Sequence, residues 1–391
     1  MPFVLRILLV ALLAVLLLPS GTRASPHGDF YTVTSADLSG PPGSLIRYAP
    51  ISLMSIYRAK AYRILYRSTD LAGKPIAVSG VAVISTYPAP AGGRPVVAWA
   101  HPTSGVSRHC APSMRANPLD SIAGVKDMIP YGYAVVATDY PGLGVQGVVP
   151  YLIGKGEAVA VLDSVRALGQ MQEAQASRRY VIWGYSQGGH AALFAAGLAR
   201  SHAPDFKLAG VAAIAPPTAL AEMLDDDIGT VAGRILAAMA LRSWNRVLGL
   251  PLGDLLTGDA EAVVNLIDSH CVDNIGGQLD ALGAEEKLGN KFLKVDPAND
   301  PPWSRAMTEN SVGAHMLDMP VFIAQGLHDE IVAPAITKAF VGKLCAARTP
   351  VYYLEIPDAD HGMSKPKGAP TAVTWIASAF AGAPQTHGCT R

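Results

Sequence analysis

The chain has 391 residues, half of them apolar and 16% charged, with Lys+Arg and Asp+Glu equal at 31 each. That length holds one large core with an insertion, or two domains, and the apolar share is that of a packed globular protein rather than a disordered one. Balanced charge without a long run of either sign removes the footing for nucleic-acid binding or for strong docking on anionic membranes.

The opening residues, MPFVLRILLVALLAVLLLPSGTRA, belong to targeting rather than to fold. Arg6 precedes an apolar stretch of about a dozen residues, short for a membrane span, and Pro19, Ser20 and Gly21 lead into small residues suited to cleavage. The expectation is a signal peptide over residues 1–24, cleaved near Ala24, with an uncleaved N-terminal anchor as the alternative; the destination is then secreted or periplasmic. No cysteine lies near the cleavage site, which argues against a lipid-anchored form. Losing Arg6 and Arg23 with this leader moves the net charge from 0 to about −2.

From residue 61 strand-like and helix-like segments alternate. AYRILYRST (61–69) and PIAVSGVAVIS (75–85) predict an antiparallel pair around the turn DLAGK. PVVAWAH, YAVVATD, RYVIWG, AGVAAIAP, PVFIAQG and PVYYLEI predict buried strands, each short, apolar and rich in β-branched residues. Between them GEAVAVLDSVRALGQM, GGHAALFAAGLAR and PAITKAFVGKLC predict helices. This alternation implies an α/β fold with a mostly parallel central sheet and helices on both faces.

One interval breaks the rhythm. Between APP (215–217) and MPVFIAQG (319–326) no clear core strand is found, and VAGRILAAMALRSWNRVLGL carries apolar residues at helical spacing through Val231, Ile235, Met239, Trp244 and Val247. The expected organisation is a core in two parts, 25–216 and 319–391, with residues 217–318 inserted as a helical cap. Its apolar stripe packs the cap's own core, lines a lid that meets acyl chains, or does both.

The stretch RYVIWGYSQGGHAALFAAGLAR (179–200) contains Gly184-Tyr185-Ser186-Gln187-Gly188, a G-x-S-x-G pentapeptide. Alone, such a pattern turns up by chance about once in several chains of this length. Its context sharpens it, because a nucleophile elbow needs a strand ending at the serine and a helix beginning just after it, and both are predicted here. Glycines suit a strained turn whose flanking segments pack closely.

A nucleophilic serine requires a base, and the base an orienting acid. In this architecture they follow in the order serine, acid, histidine. IAQGLHDEIVAP places Asp329 after a predicted strand, with Glu330 as its local rival, and LEIPDADHGMS places His361 after the next one, with Asp358 and Asp360 nearer to it in sequence. His328 and His315 read as structural. An oxyanion site combines the amide of Gln187 with one from AHPTSGVSRHC; Pro102 has no N–H, so Thr103 is the candidate and Ser104 the next.

Two further patterns carry no such chemistry. GLGVQG (142–147) matches G-x-G-x-x-G, but Pro150 and Gly154 interrupt the helix a dinucleotide site would need, so it reads as a loop. Asp225-Asp226-Asp227 lacks the alternating ligands and glycine of a calcium loop and reads as a solvated approach to a helix. Cys110, Cys271, Cys345 and Cys389 contain no C-x-x-C; an even number in an exported chain suggests two disulfides, for which three pairings exist.

Taken together, AWAHPTSG, CAPS (110–113), DYPGLG (139–144), VLDSVRAL, WGYSQGGHAALFAA, QGLHDEIV and DADHG resemble the secretory lipase family of the α/β-hydrolases, the group of fungal lipase A-type enzymes and many bacterial homologues. The resemblance runs from about residue 40 to the C-terminus. It implies an exported carboxylester hydrolase with a helical cap, a small-molecule acyl ester or lipid as substrate, transient contact with a lipid interface, and no metal or organic cofactor. It puts Ser186, Asp329 and His361 on the nucleophile, acid and base positions, and suggests the pairs Cys110–Cys271 and Cys345–Cys389. Bacterial relatives commonly read H-G-T-T-G where this chain has His101-Pro102-Thr103-Ser104-Gly105. A serine peptidase or acyl-amide hydrolase, an acyltransferase, and a catalytically silent binding protein are the alternatives on the same scaffold.

Overall fold

The chain enters its sheet through β1 (Leu45–Ile51), β2 (Ala59–Thr69) and β3 (Pro75–Ser85), an antiparallel meander. It continues through β4 (Arg94–Ala100), β5 (Ala134–Thr138), β6 (Ala176–Tyr185), β7 (Lys207–Ile214), β8 (Val321–Gly326) and β9 (Val351–Ile356). The order across the sheet is β1-β2-β3-β5-β4-β6-β7-β8-β9. β3 meets β5 antiparallel, and every pairing from β5 to β9 is parallel. The computed structural model describes residues 30–389 apart from 53–57, 259, 274 and 289–291. The leader expected over 1–24 lies outside the described residues.

Helices connect the parallel strands: α1 (Gly154–Leu168), α2 (Gln187–His202), α3 (Leu220–Asp227), α4 (Val231–Leu248), α5 (Ala260–Asp268), α6 (Ile275–Leu288), α7 (Trp303–Glu309), α8 (Pro334–Ala346) and α9 (His361–Phe380). The strands are buried on both faces, so their residues divide by parity. Val96, Ala98 and Ala100 of β4 and Tyr180 and Ile182 of β6 join the core beneath α1, α2 and α8. Val97 and Trp99, Val181 and Trp183 join the core beneath α9. Covering both faces is what lets parallel strands read as unbroken apolar runs. The Trp99 and Trp183 rings pack with centroids 5.3 Å apart, and the Trp183 indole N–H donates to Ala123 O at 3.2 Å.

The predicted strands and three predicted helices are present at close to their expected bounds. Among the described residues the elements beyond those predicted include β1 and α9. β1 pairs along the outer edge of β2, and α9 follows β9 with Pro366 and Pro370 inside it. GLGVQG lies in an irregular loop after β5. Between β7 and β8 the described residues hold α3 to α7 and no strand of the sheet, with isolated bridges at Gly105–Cys271 and Leu256–Leu293.

Disulfides join Cys110 to Cys271 and Cys345 to Cys389. The first ties the loop after β4 to the segment after α5 across 161 residues. Closing so long a loop in the unfolded chain is worth on the order of 4–5 kcal/mol in the chain-entropy account.

Because β4 and β6 both flank the point where the strand order reverses, their carboxyl ends open a crevice suited to a ligand. The Trp pair beneath them anchors that edge. Replacing Trp183 with Ala is expected to lower the unfolding free energy by about 3–5 kcal/mol, read as a lower urea midpoint at unchanged slope.

Candidate active site

Ser186 sits between β6 and α2 with φ 56° and ψ −124°, a backbone conformation that side-chain-bearing residues seldom adopt. The turn is held by the Ser186 amide, which donates to Ile214 O at 2.9 Å, and by His190 N–H, which donates back to Ser186 O at 3.1 Å. Its two glycines are dictated by contact. A Cβ on Gly184 would stand 2.0 Å from Gly188 O, and one on Gly188 would stand 2.0 Å from Ala100 O. Three backbones therefore touch at this corner, and the serine hydroxyl projects from the carboxyl edge of the sheet.

His361 opens α9 directly after β9 and brings its ring to that hydroxyl. Nε2 lies 2.9 Å from Ser186 Oγ, and Nδ1 lies 2.8 Å from Asp329 Oδ2. An ionised carboxylate only accepts, so Nδ1 carries the proton and Nε2 is left to accept from the serine. Asp329 is buried and saturated: Oδ1 accepts from the amides of Ile331 (2.9 Å) and Val332 (2.8 Å), and Oδ2 from Gln325 Nε2 (3.0 Å). Those donors hold the carboxylate's orientation, a supporting shell that loops alone seldom supply.

Among the described residues the carboxylate hydrogen-bonded to the imidazole is that of Asp329, not of a neighbouring acid. Glu330 is exposed. Asp360 caps α9, accepting from Met363 N–H at 2.7 Å, and the Asp358 backbone carbonyl accepts from Lys367. His328 is exposed as well. Tyr185 donates to His361 O at 2.7 Å and stacks a tilted ring 5.1 Å from the imidazole. Burial first, then the charges of Asp329 and Asp360, push its phenol above the usual range, so it stays a donor. Lys365 lies over the same ring, and burial lowers its ammonium pKa.

Gln187 is the first residue of α2, so its amide has no intrahelical acceptor and points with the helix's positive end. Thr103 joins Tyr151 through their hydroxyls at 3.0 Å. The Ser104 carbonyl accepts from Val272 N–H beside the Cys110–Cys271 bridge.

Sequence reasoning did not single out the polar group behind this corner. Glu157 on α1 is fully buried, and its Oε1 accepts from Gln187 Nε2 at 2.6 Å and from Leu152 N–H at 3.1 Å. His190 Nδ1 lies 3.5 Å from its Oε2, while Nε2 contacts Asn310 O at 2.7 Å. Asn310 in turn accepts from Gly154 N–H. The available signal was an acid placed within the apolar run GEAVAVLDSV, where burial demands partners.

Asp225 and Asp226 are exposed as expected, whereas Asp227 at the end of α3 is buried. It lines a cavity walled by Leu152, Leu220, Met223, Leu236, Trp244 and Met307 among others. Hydrogen bonds link one wall of the cavity to the corner: Trp244 donates its indole N–H to Tyr151 O, and Tyr151 holds Thr103. His109, Cys110 and Cys271 stand together, but both sulfurs are consumed by the disulfide, so this group offers no thiolate to a metal.

The mixed sheet, the serine at the β6–α2 turn and the helices on both faces define an α/β-hydrolase. Candida antarctica lipase A in its closed state superposes with a TM-score of 0.78 at 19% identity, over 94% of this chain and 89% of that one. Residues 120–388 match the family model described as Secretory lipase, and the chain belongs to that family of carboxylic ester hydrolases. Lipase 5 of Candida albicans is 30% identical over 280 residues, 67% of this chain but 58% of that protein's length. A Mycobacterium tuberculosis protein named "Probable inactive lipase MT1628" is 25% identical over 92% of this chain and 84% of its own. The family match includes Ser186, Asp329 and His361 and begins after Thr103.

The contact at Gly188 gives a direct test of the corner. Gly188→Ala is expected to lower the unfolding free energy by about 1–3 kcal/mol, the range for overpacking, measured by denaturant titration against the parent.

Proposed function

We propose that this protein hydrolyses carboxylic esters through Ser186 as nucleophile, His361 as general base and acid, and Asp329 as the group that orients and charges against His361. The observation that carries the reading is the unbroken series Ser186 Oγ, His361 Nε2, His361 Nδ1, Asp329 Oδ2, with links of 2.9 and 2.8 Å, at the head of a strained strand–helix turn. The existence of a relative named as inactive makes that geometry, rather than family membership, the ground for activity.

His361 removes the Ser186 proton as Oγ attacks the ester carbonyl. The developing oxyanion is held by the amide of Gln187 at the start of α2 and by a donor at Thr103, whose hydroxyl is positioned by Tyr151. The C–O bond to the alcohol breaks, the alcohol leaves with the proton from His361, and an acyl-serine remains. Water, deprotonated by His361, then attacks the acyl carbon and releases the carboxylic acid with Ser186 restored. Each step needs only these side chains and water.

Residues 217–318 are read as a cap on the core formed by 25–216 and 319–391, its apolar cavity taking the acyl chain. The lining by leucine, methionine and tryptophan supports an apolar ligand, and the lipases among the relatives support an acyl ester or lipid. Export through the leader at 1–24 is supported by the two disulfides, which persist in oxidising compartments.

Ser186→Ala is expected to lower kcat for nitrophenyl esters, acetyl to palmitoyl, by about 10³-fold or more; retention of most of the rate overturns the scheme. Asp329→Asn is expected to cost on the order of 10⁴-fold in kcat, since the imidazole tautomer inverts. A near-normal rate in that variant would hand the acid's role to another group.

A further inference from the structure

Asp227 is 6% exposed, and its Oδ2 has no hydrogen-bond partner among the described residues. It stands in the wall of a small cavity, about 50 Å³, otherwise lined almost wholly by apolar side chains, which a long chain must widen as it enters. Such a carboxylate is costly to keep ionised without a counter-charge. None of the charged groups around it supplies one. On α3 its neighbours are Glu222, Asp225 and Asp226, all acidic and exposed. From α4, Arg234 is turned to Glu285 of α6 and to Gly229 O. On α7, Arg305 and Glu309 are exposed, and from the loop after β8 the nearby charge is Asp329.

We propose that Asp227 makes the choice of acyl chain depend on its own protonation: neutral, it lets the cavity take a long apolar chain; ionised, it keeps the cavity hydrated and confines the enzyme to short acyl groups. The proposal rests on the reading of Ser186 as an ester-cleaving nucleophile and adds a selector to that site. Burial, with the charges of Asp226 and Asp329 behind it, raises the Asp227 carboxyl to about 7. The changeover then falls near neutral pH.

The sign follows from linkage. A long chain filling the cavity removes the remaining water from the carboxyl and favours its neutral form, so binding that chain takes up a proton whenever Asp227 is ionised beforehand. Below the changeover the neutral form is already present and chain length carries no pH dependence. Above it the apparent KM for long chains rises about tenfold per pH unit. A butyryl chain that does not reach Asp227 is unaffected. The acyl-transfer steps at Ser186 are common to both substrates and cancel in their ratio.

The test is the ratio of kcat/KM for nitrophenyl laurate to nitrophenyl butyrate, measured from pH 5 to 9 on the mature protein. The parent ratio is expected to fall about tenfold between pH 6 and pH 8, chiefly through KM for laurate. Asp227→Asn, which keeps the shape and removes the charge, is expected to hold the ratio high and flat. Asp226→Asn changes an exposed residue and carries no folding risk; by removing one like charge it is expected to move the fall to lower pH. A parent ratio that stays flat from pH 6 to 8 while butyrate is still cleaved through Ser186 overturns the selector alone. Failure to cleave either ester overturns the parent reading as well, and the selector with it.

Discussion

The three-way backbone contact at Gly184, Gly188 and Ala100 is the constraint on which the site depends. A sheet strand and the helix that follows it normally keep a side chain's width between them; here the Cβ that any other residue would bring falls inside a carbonyl oxygen. Closing that gap turns the chain sharply enough to force φ 56° on Ser186. It also fixes how α2 leaves the sheet, and therefore where its first amide points. The hydroxyl and the amide of Gln187 are thus placed by the same contact, before any side-chain hydrogen bond is considered.

Around that corner the remaining groups are held by shells that differ in kind. Asp329 is held by three donors from its own loop and strand, so its geometry is local. Gln187 is held by Glu157, which belongs to α1, and Glu157 also secures Leu152 and lies against His190. This second arrangement spans α1, α2 and, through Asn310, the end of α7. It couples the core helices to the interval between β7 and β8. The Cys110–Cys271 bridge makes a second tie between that interval and the core, next to the Thr103 loop.

The parts of this design that the sequence displayed are those carried by local pattern. Short β-branched runs, the serine between glycines and the placement of Asp329 and His361 after strands are all local, and the structure brings these three side chains into one hydrogen-bonded series. β1 was hidden because Pro50 and its half-buried alternation suit only an edge strand, a weak pattern beside the central runs. α9 was hidden by Pro366 and Pro370, which read as breakers; both fall inside the helix, where its packing under Trp375 and Ile376 outweighs the lost backbone bonds. Glu157 and Asp227 were hidden for another reason. Their meaning lies in partners, or in the lack of them, contributed by segments far away in sequence, and no local pattern records a long-range pairing.

Strained backbone recurs along the carboxyl edge of the sheet. Among the described residues other than glycine, Tyr140, Leu152, Ser186 and Ala215 all have positive φ, and they follow β5, β6 and β7 or the loop that leads into α1. Glu157 Oε2 and His190 Nδ1, 3.5 Å apart, and the unpartnered Asp227 Oδ2 lie in the same neighbourhood. Each such feature costs about 1–3 kcal/mol. A core built only for stability would shed them, because glycine or an apolar residue removes the cost at most of these positions. The Trp99 and Trp183 cluster, which Ala215 itself joins, supplies the rigid burial against which the carboxyl edge can be kept in an unfavourable conformation. The strain is therefore confined to the ends of the strands and their adjoining loops, and the apolar packing on both faces of the sheet offsets its cost.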